Sequence, residues 1–266
     1  MKKITLIGGD VRIRILKQKL EATGYRIDTL GLFENDAADL KSSDVVILPV
    51  PTTKDGKTVF APLTGRKIFL SDISEALSKK QTVLCCNYSF LDKNCIDYGV
   101  SDGYALLNAV PTAEGAIKIA VEQTPFTLWK SRVLVIGYGR VGKILADRLE
   151  KLGCSVTVSA RKYKDFCLAD ALGLCYINTA DLNNSGLEFD IIFNTVDFPV
   201  IADSYWQNHN CSLAVDLSSK GGFSLSAAEN AGVKAIFAAG LPGKVAPETA
   251  AEILFETINE IIYSYS

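Results

Sequence analysis

The segment VIGYGRVG, Val135 to Gly142, joins an apolar run to an amphipathic helical pattern through three glycines. In a strand–turn–helix unit Gly137 permits the tight turn, Gly139 lets the backbone approach a diphosphate, and Gly142 lets the helix pack on the strand. Backbone N–H groups and the positive end of the helix dipole then face the anion. Gly153 ends the helical pattern before the next apolar run, so the fingerprint has its required context. We therefore predict a dinucleotide site here, the alternative being glycines that serve packing alone.

The end of the next apolar run, Val156 to Ala160, bears on which dinucleotide is bound. NAD enzymes usually place an Asp or Glu about 20 residues beyond the glycine turn, where it binds the ribose hydroxyls. Here Ser159 is followed by Arg161 and Lys162, with no carboxylate among them. Arginine binds phosphate bidentately, so this pattern favours the extra phosphate of NADP over NAD. The alternative is that both cations are merely solvated loop residues.

Apolar runs alternate with helical patterns along the whole chain, which is typical of parallel sheets with crossover helices. A chain of 266 residues exceeds what one core usually organises, so we expect two domains. The segment Pro247 to Tyr263 has apolar residues near helical spacing and must bury one face. We predict an α/β protein of two doubly wound domains. Residues 1–110 would form an N-terminal Rossmann-like or flavodoxin-like substrate domain, packed by a C-terminal helix over 247–266, and residues 111–246 a Rossmann NADP-binding domain.

Short apolar runs bounded by turn residues give the individual elements. Strands are expected at Lys3–Ile7, Arg26–Leu30, Val45–Val50, Lys67–Leu70, Thr82–Cys85, Val133–Ile136, Val156–Ala160, Ile191–Asn194, Leu213–Leu217 and Ala235–Ala238. Helices are expected at Arg12–Ala22, at Ala113–Glu122 as a connecting helix, and at Val141–Leu152. One more helix is expected to start at Ser71 or Ser74. The glycine- and proline-rich segment Ala239–Pro247 is expected to be a stiff loop that lines the site or acts as a hinge.

Composition excludes several classes of function. With 48% hydrophobic residues, 22% charged residues and a net charge of -2, the chain offers no electrostatic reason to expect nucleic acid or a membrane as partner. The first apolar stretch ends at Gly8, too short for a signal peptide, and no run reaches the roughly 18 apolar residues of a membrane span, so we expect a cytoplasmic protein. The single histidine, His209, and the lack of a C-x-x-C pair disfavour a metal site or a histidine-dependent nucleophile.

Two polar motifs follow predicted strands of the second half, where open α/β sheets bind their ligands. Asn194 and Thr195 end one strand, and their amide and hydroxyl are expected to meet the nicotinamide half of the cofactor. The segment Asp216 to Gly222 follows another strand and sets Lys220 beside two serines and two glycines. Such a loop can cradle an anion, although it would also serve as an ordinary turn.

Two further motifs lie nearer the N-terminus. Gly8 to Arg12 joins the first strand to the first helix like a phosphate loop without its third glycine, and we assign it to substrate. Asn108 to Gly115 opens the predicted connecting helix, with Thr112 as N-cap and Glu114 near the positive end of the helix dipole. Capping alone would also explain Thr112 and Glu114.

In this order, the motifs resemble those of the dipicolinate synthase A-subunit family, whose members make the calcium-chelating dicarboxylate of bacterial spores. The resemblance rests on Gly8-Gly9-Asp10 with Arg12, Asn108–Gly115, Gly137–Gly142, Ser159-Ala160-Arg161, Asn194-Thr195, Asp216-Leu217 with Ser219-Lys220, and Gly240-Leu241-Pro242-Gly243 with Ala246-Pro247. It implies an NADP-dependent oxidation of a dihydrodipicolinate, or of its hydrated lysine-pathway precursor, to the aromatic pyridine dicarboxylate. It also implies a fold similar to the two-domain 2-hydroxyacid dehydrogenases, with substrate in the interdomain cleft, and a partner that is a flavoprotein B subunit. We further expect a homo-oligomer.

Because the product is aromatic, the main task of such an enzyme is to align the ring with the nicotinamide and to offer a proton acceptor. The candidates for the two substrate carboxylates are Arg12, Arg14 and Lys220, with Asn108, Thr112 and Asn194 as neutral donors and Glu114 or Asp216 as proton acceptor. The expected cofactor contacts are Gly137, Tyr138, Gly139, Arg140, Val141, Gly142, Ser159, Arg161, Lys162, Asn194, Thr195, Ser218, Ser219, Gly240 and Pro242.

Two other functions stay open. The flavoprotein partner could carry the redox chemistry and leave this chain as an NADP-binding regulatory or scaffolding component. The chain could also be a 2-hydroxyacid or aldimine dehydrogenase of the same architecture. A hydroxyacid dehydrogenase usually has a catalytic histidine. The single histidine of this chain, His209, lies off the expected loops, which disfavours this function.

Overall fold

The alternation of apolar runs and helical patterns produces two parallel sheets, one in each of two units of the chain. The computed structural model describes residues 2–90 and 93–264. The first unit contains the described residues up to Asn108 and those from Ala246 onward, and the second runs from Ala109 to Val245. No described helix is long and apolar enough to cross a membrane.

The strands and helices alternate along the described chain. The strands are β1 (Lys3–Ile7), β2 (Arg26–Leu30), β3 (Val45–Ile47), β4 (Thr82–Cys85), β5 (Asn94–Asp97), β6 (Arg132–Ile136), β7 (Ser155–Ala160), β8 (Cys175–Asn178), β9 (Ile191–Asn194), β10 (Leu213–Asp216) and β11 (Lys234–Phe237). The α-helices are α1 (Val11–Ala22), α2 (Leu70–Ala76), α3 (Asp102–Gln123), α4 (Arg140–Lys151), α5 (Tyr163–Ala171), α6 (Asp203–Asn208), α7 (Leu225–Asn230), α8 (Leu241–Val245) and α9 (Pro247–Ser264).

The first unit is built on a five-stranded parallel sheet in the order β2-β1-β3-β4-β5. This is the flavodoxin-like order, in which the direction of strand addition reverses between β1 and β3. The central strands are buried on both faces, so they appear in the sequence as continuous apolar runs.

The last helix, α9, completes the core of this first unit. Its buried Leu254 and Ile258 lie in one cluster with Ile13 and Leu16 of α1. Lys19 and Glu252 form an ion pair beside that cluster. Residues 265 and 266, the end of the range predicted for this helix, lie outside the described residues.

The second unit has a six-stranded parallel sheet in the order β11-β10-β9-β6-β7-β8. Counted from β6, this is the 3-2-1-4-5-6 order of a Rossmann fold, with its reversal between β6 and β9. The predicted fold class, an α/β protein with two doubly wound sheets, is therefore confirmed.

One predicted strand is wrong. The segment Lys67–Leu70 makes only an isolated antiparallel bridge, between Phe69 and Thr58, and α2 already begins at Leu70. A single bridge cannot extend into a ladder because the helix takes over the next residues. Neither Ser71 nor Ser74 starts this helix, since Phe69 occupies the N-cap position and provides no side-chain cap.

The predicted start of the connecting helix is also wrong. Helix α3 begins at Asp102, well before Ala113, and Pro111 lies inside it. Proline removes the hydrogen bond to the carbonyl four residues earlier, that of Leu107. Leu107 is an exposed residue, and the helix continues through Pro111 without that bond. Thr112 is therefore an interior helical residue and not an N-cap.

The segment Ala239–Pro247 is not the loop that its glycines and prolines predict. It contains the short helix α8, whose Leu241 and Pro242 are buried. A side chain at Gly115 of α3 would come within 3.0 Å of both Leu241 and Val245. The absence of a side chain at Gly115 thus lets α8 pack closely against α3.

Candidate dinucleotide and substrate sites

The glycine turn lies at the strand reversal of the second sheet. It follows the carboxyl end of β6, and Ile136 of that strand is paired with Asn194 of β9. Open α/β sheets bind ligands outside the carboxyl ends of their strands at such a reversal. The order of the strands therefore places Gly137–Gly142 and Asn194-Thr195 at one edge, as the sequence predicted.

The three glycines of the turn have different reasons to be glycine. Gly137 has φ +91°, and a Cβ there would lie 2.5 Å from the Thr195 hydroxyl oxygen. A Cβ on Gly142 would overlap the carbonyl oxygen of Gly137. Gly139 has φ -83° and open space, with no heavy atom within 4 Å of a Cβ placed on it. The fold thus explains Gly137 and Gly142, whereas Gly139 leaves an open space at the N-terminus of α4.

This open space fits a diphosphate. Gly139 is the N-cap of α4, and no side chain caps the first backbone N–H groups of that helix. Gly139 and Arg140 are exposed and Val141 is half-buried. Tyr138 differs from its neighbours, because its ring is buried in the hydrophobic core of the unit and burial raises its pKa. Exposed N–H groups at the N-terminus of a helix are the usual protein site for phosphate.

The end of β7 presents two cations and no free serine hydroxyl. Ser159 is fully buried, and its hydroxyl shares a 2.7 Å hydrogen bond with Thr179. Arg161 and Lys162 are exposed, and their side chains make no hydrogen bond or ion pair with any described residue. Of the three residues predicted to bind the ribose end, only these two cations have their polar side-chain groups available.

Asn194 and Asp216 brace each other at the carboxyl ends of β9 and β10. Both are fully buried, and Asn194 Nδ2 donates to Asp216 Oδ1 at 2.8 Å and to the Val196 carbonyl at 2.9 Å. Asp216 also accepts hydrogen bonds from the backbone N–H groups of Ser218 at 3.0 Å and Gly222 at 2.6 Å. The carboxylate of Asp216, one of the two predicted proton acceptors, therefore has three hydrogen-bond partners within the protein. These two residues hold the loop 216–222 in place.

The Thr195 hydroxyl also has a structural partner. It donates to the Ile136 carbonyl at 2.8 Å, and so ties β9 to the glycine turn. Within the loop, Ser218 Oγ accepts from the Gly221 N–H at 3.0 Å, and Ser219 is bound by Asp197. Lys220 is the exposed cation of this loop.

The remaining candidate residues lie on α3 and around α8. Glu114 is exposed and forms an ion pair with Arg148 of α4, Oε1 to Nη2, at 3.3 Å. Thr112 lies two residues before it in the same helix, and Asn108 one turn earlier at the end of the first unit. Gly240 is exposed, whereas Pro242 is buried in α8.

In the first unit, Asp10 and Arg12 form a buried ion pair just after β1. Asp10 caps α1 by accepting from the Arg12 N–H, and its carboxylate binds Arg12 Nε and Nη2 at 2.8–3.1 Å. Nη2 also donates to the Val50 carbonyl at 2.7 Å, beyond the end of β3. Arg12 is only 5% exposed. Burial disfavours its charge, but the hydrogen bond and charge of Asp10 outweigh this effect and raise the pKa of Arg12.

Arg14 is held in another place. Its Nη2 donates to the Leu32 carbonyl at 3.2 Å and its guanidinium lies 5.1 Å from the centre of the Phe33 ring. Both residues follow β2, whereas Arg12 is bound to the segment after β3. The two arginines that were expected to bind the substrate carboxylates are therefore held beyond the ends of different strands.

Three residues near Arg12 could not be picked out from the sequence. Tyr98 and Tyr104 both affect the pKa of Arg12 electrostatically, and Cys86 affects that of Tyr104. Burial raises the pKa of the Cys86 thiol to about 12, so it stays protonated. Cys86 directly follows β4. This position at the end of a strand is the one feature of the sequence that could have indicated it as a site residue.

Comparisons with known proteins agree with these observations. A family model of the N-terminal domain of the dipicolinate synthase A subunit matches residues 3–100. The A subunit of dipicolinate synthase from Bacillus subtilis (strain 168) is 28% identical over 283 residues, which cover 98% of this chain and 95% of that protein.

Solved structures extend the likeness to the backbone. The crystal structure of the A subunit of dipicolinate synthase from Bacillus halodurans has a TM-score of 0.89 at 26% identity, covering 98% of this chain and 97% of that one. The apo-structure of D-lactate dehydrogenase from Escherichia coli has a TM-score of 0.63 at 14% identity, over 97% and 95% of the two chains, and shows the fold alone. The resemblance stated from the sequence motifs is confirmed.

Proposed function

Because this chain resembles the A subunit of dipicolinate synthase over nearly its whole length, we propose that it catalyses the last oxidation in dipicolinate formation. The reaction removes a hydride and a proton from a dihydrodipicolinate, or from its hydrated lysine-pathway precursor after loss of water. Bound NADP⁺ would supply the acceptor for the hydride, so that the products would be dipicolinate, NADPH and a proton. A flavoprotein B subunit would be the partner, and the product would serve spore formation. The open space at Gly139 is the observation that carries the proposal, since the fold does not need a glycine there.

The second unit has the groups that would hold NADP. Backbone N–H groups at the start of α4 would bind the diphosphate beside Gly139. Arg161 and Lys162 would bind the 2′-phosphate, because both are exposed and unpaired among the described residues. We accordingly assign cofactor binding to residues 111–246 and substrate binding to residues 1–110.

The chain's own residues would bind and orient the substrate. The buried Arg12, held by Asp10, is the strongest candidate for a substrate carboxylate, since its orientation is fixed before binding. Lys220 is an exposed candidate for the second carboxylate. With Asp216 engaged in three hydrogen bonds, Glu114 remains the candidate proton acceptor.

Cofactor preference gives a first prediction. We expect Arg161→Ala to weaken NADP binding about tenfold while NAD binding stays unchanged, because the lost hydrogen bonds to a charged phosphate are absent from the NAD complex. Calorimetric titration of both cofactors measures the ratio of the two dissociation constants. Lys164→Ala, which removes another exposed cation nearby, is the control. An unchanged NADP to NAD ratio in Arg161→Ala would remove the assignment of this residue.

The activity has a direct assay. The chain, NADP and the lysine-pathway intermediate should produce the ultraviolet absorption of pyridine dicarboxylate together with that of NADPH. The same mixture is measured with and without the flavoprotein partner. Product without NADPH, formed only when the flavoprotein is present, would contradict the proposal and favour an NADP-binding regulatory or scaffolding role.

A further inference from the structure

The hydroxyl of Tyr104 is buried without a partner. Tyr104 lies in the first turn of α3 and is 4% exposed. Its oxygen makes no hydrogen bond to any described residue. Buried tyrosine hydroxyls nearly always find a partner, because the lost hydration is otherwise uncompensated. Such an orphaned group in a folded protein points to a ligand or an ordered water.

The neighbouring tyrosine shows what a structural hydroxyl does here. Tyr98 packs edge to face against Tyr104, with ring centres 5.7 Å apart. The Tyr98 hydroxyl donates to the Leu48 carbonyl at 2.8 Å, and the residue is fully buried. The packing of the two rings therefore does not prevent a hydroxyl from being satisfied, and of this pair Tyr104 is the one without a partner.

The surroundings of the Tyr104 hydroxyl favour its protonated form. Burial and the neighbouring Cys86 and Asp10 raise the pKa of Tyr104, and Arg12 opposes them. The phenol is therefore a neutral hydrogen-bond donor at physiological pH. Tyr104 packs in one cluster with Ile13 of α1 and with Cys86, and Asp10 and Arg12 act on it electrostatically.

Arg12 itself has an unused donor. Its Nε and Nη2 are bound by Asp10 and by the Val50 carbonyl, whereas Nη1 makes no hydrogen bond with any described residue. This Nη1 is not among the fully buried unpaired atoms, so solvent can reach it. The cluster thus combines one charged and one neutral donor without partners. It lies beyond the carboxyl ends of β1, β3 and β4, at the strand reversal where flavodoxin-like sheets bind ligands.

We propose that Tyr104 is a substrate-binding residue, whose hydroxyl donates a hydrogen bond to the same substrate carboxylate that Arg12 Nη1 binds. An anionic oxygen acceptor satisfies both donors at once, and a carboxylate has two oxygens to offer. That the ligand is a pyridine dicarboxylate rests on the proposed function. The presence of two donors without partners does not depend on that proposal. A site of this kind fixes the orientation of the ring because the donors come from two different elements, α1 and α3.

The test removes only the oxygen atom. In thermal unfolding we expect Tyr104→Phe to be at least as stable as the wild type, because the substitution removes a buried hydroxyl that has no hydrogen-bond partner. We expect the dissociation constant for pyridine-2,6-dicarboxylate, measured by calorimetry on the full chain, to rise about tenfold. Tyr205→Phe is the matched control, since Tyr205 has the other buried and unpaired tyrosine hydroxyl of the described residues and lies in the second unit. It should be equally stable and should bind the dicarboxylate like the wild type.

Two further measurements make each outcome decisive. Tyr98→Phe loses a satisfied hydroxyl and should be less stable, which would show that thermal unfolding detects such bonds. If Tyr104→Phe binds pyridine-2,6-dicarboxylate as tightly as the wild type, the inference is overturned and the proposed function stands. If the wild type binds oxalate but not pyridine-2,6-dicarboxylate, and Tyr104→Phe weakens oxalate binding, the proposed function fails and the carboxylate site stands. A wild type that binds neither compound overturns both.

Discussion

Gly142→Ala is expected to lower the free energy of unfolding of the second unit by about 3 kcal/mol or more, at the upper end of what overpacking usually costs. The new Cβ would overlap the carbonyl oxygen of Gly137, and backbone cannot turn aside as the tip of a side chain can. The turn is also pinned, because the Gly137 N–H donates to the Ser159 carbonyl at 2.9 Å. Urea denaturation of the purified variant measures the loss.

Gly139→Ala is the matched control and should give the opposite pattern. No heavy atom lies within 4 Å of its added Cβ, so we expect a loss of at most about 1 kcal/mol, because alanine is a poorer N-cap than glycine. The methyl group would occupy the space assigned to the diphosphate, so NADP binding should be lost. If Gly139→Ala binds NADP like the wild type, the cofactor does not lie against this turn. If Gly142→Ala is as stable as Gly139→Ala, the close packing of α4 on β6 is not required.

Asp216→Ala should have an effect of similar size. The substitution removes the acceptor of three hydrogen bonds, from Asn194 Nδ2, the Ser218 N–H and the Gly222 N–H. Each buried donor left without a partner costs about 1–3 kcal/mol, so we expect the free energy of unfolding to fall by about 3 kcal/mol or more. The loop 216–222 should also lose its fixed conformation, which proteolysis at limiting protease would detect.

Asp197→Ala is the control for Asp216→Ala, because it removes another carboxylate that binds the same loop. Asp197 is exposed and accepts from the N–H and hydroxyl of Ser219. Water can replace it, so the variant should lose less than about 1 kcal/mol. Equal stability of Asp216→Ala and Asp197→Ala would show that the buried carboxylate does not hold the loop.

The central strands were predictable because burial on both faces leaves a simple pattern. The limits of β1, β4 and β9 agree with those expected from their apolar runs. The edge strands β5 and β8 were missed, and their residues are mostly half-buried or exposed. An edge strand has fewer neighbours to exclude water, so its sequence, such as NCID or CYIN, need not be apolar.

Helix limits were harder to predict where a local rule conflicts with packing. Thr112 was expected to cap the start of a helix, but the buried face formed by Ala109, Ala113, Ala116 and Ala120 begins before it and continues through Pro111. A proline costs one hydrogen bond, whereas a whole helical face packed in the structure keeps both halves aligned. The same local rule made Ala239–Pro247 look like a loop, although α8 packs there.

The site was predictable in its backbone and much less in its side chains. Three glycines at fixed spacing report local geometry, so the turn at Gly137–Gly142 could be found from the sequence. Whether a polar side chain faces a ligand or another residue depends on contacts distant in sequence. Asn194 and Asp216 are neighbours only because β9 and β10 pair, and Tyr104 and Arg12 influence each other electrostatically only in the folded first unit.

The path of the chain through its two units has a consequence for synthesis on the ribosome. The second unit is one continuous stretch, whereas the first needs α9, which is translated after the whole of the second. Until α9 emerges, Ile13 and Leu16 of α1 lack the part of their packing that Leu254 and Ile258 provide. The first unit can therefore complete its core only at the end of synthesis, whereas the second unit has all of its residues earlier. Of the two units, the one whose synthesis starts earlier is thus the one that matures later.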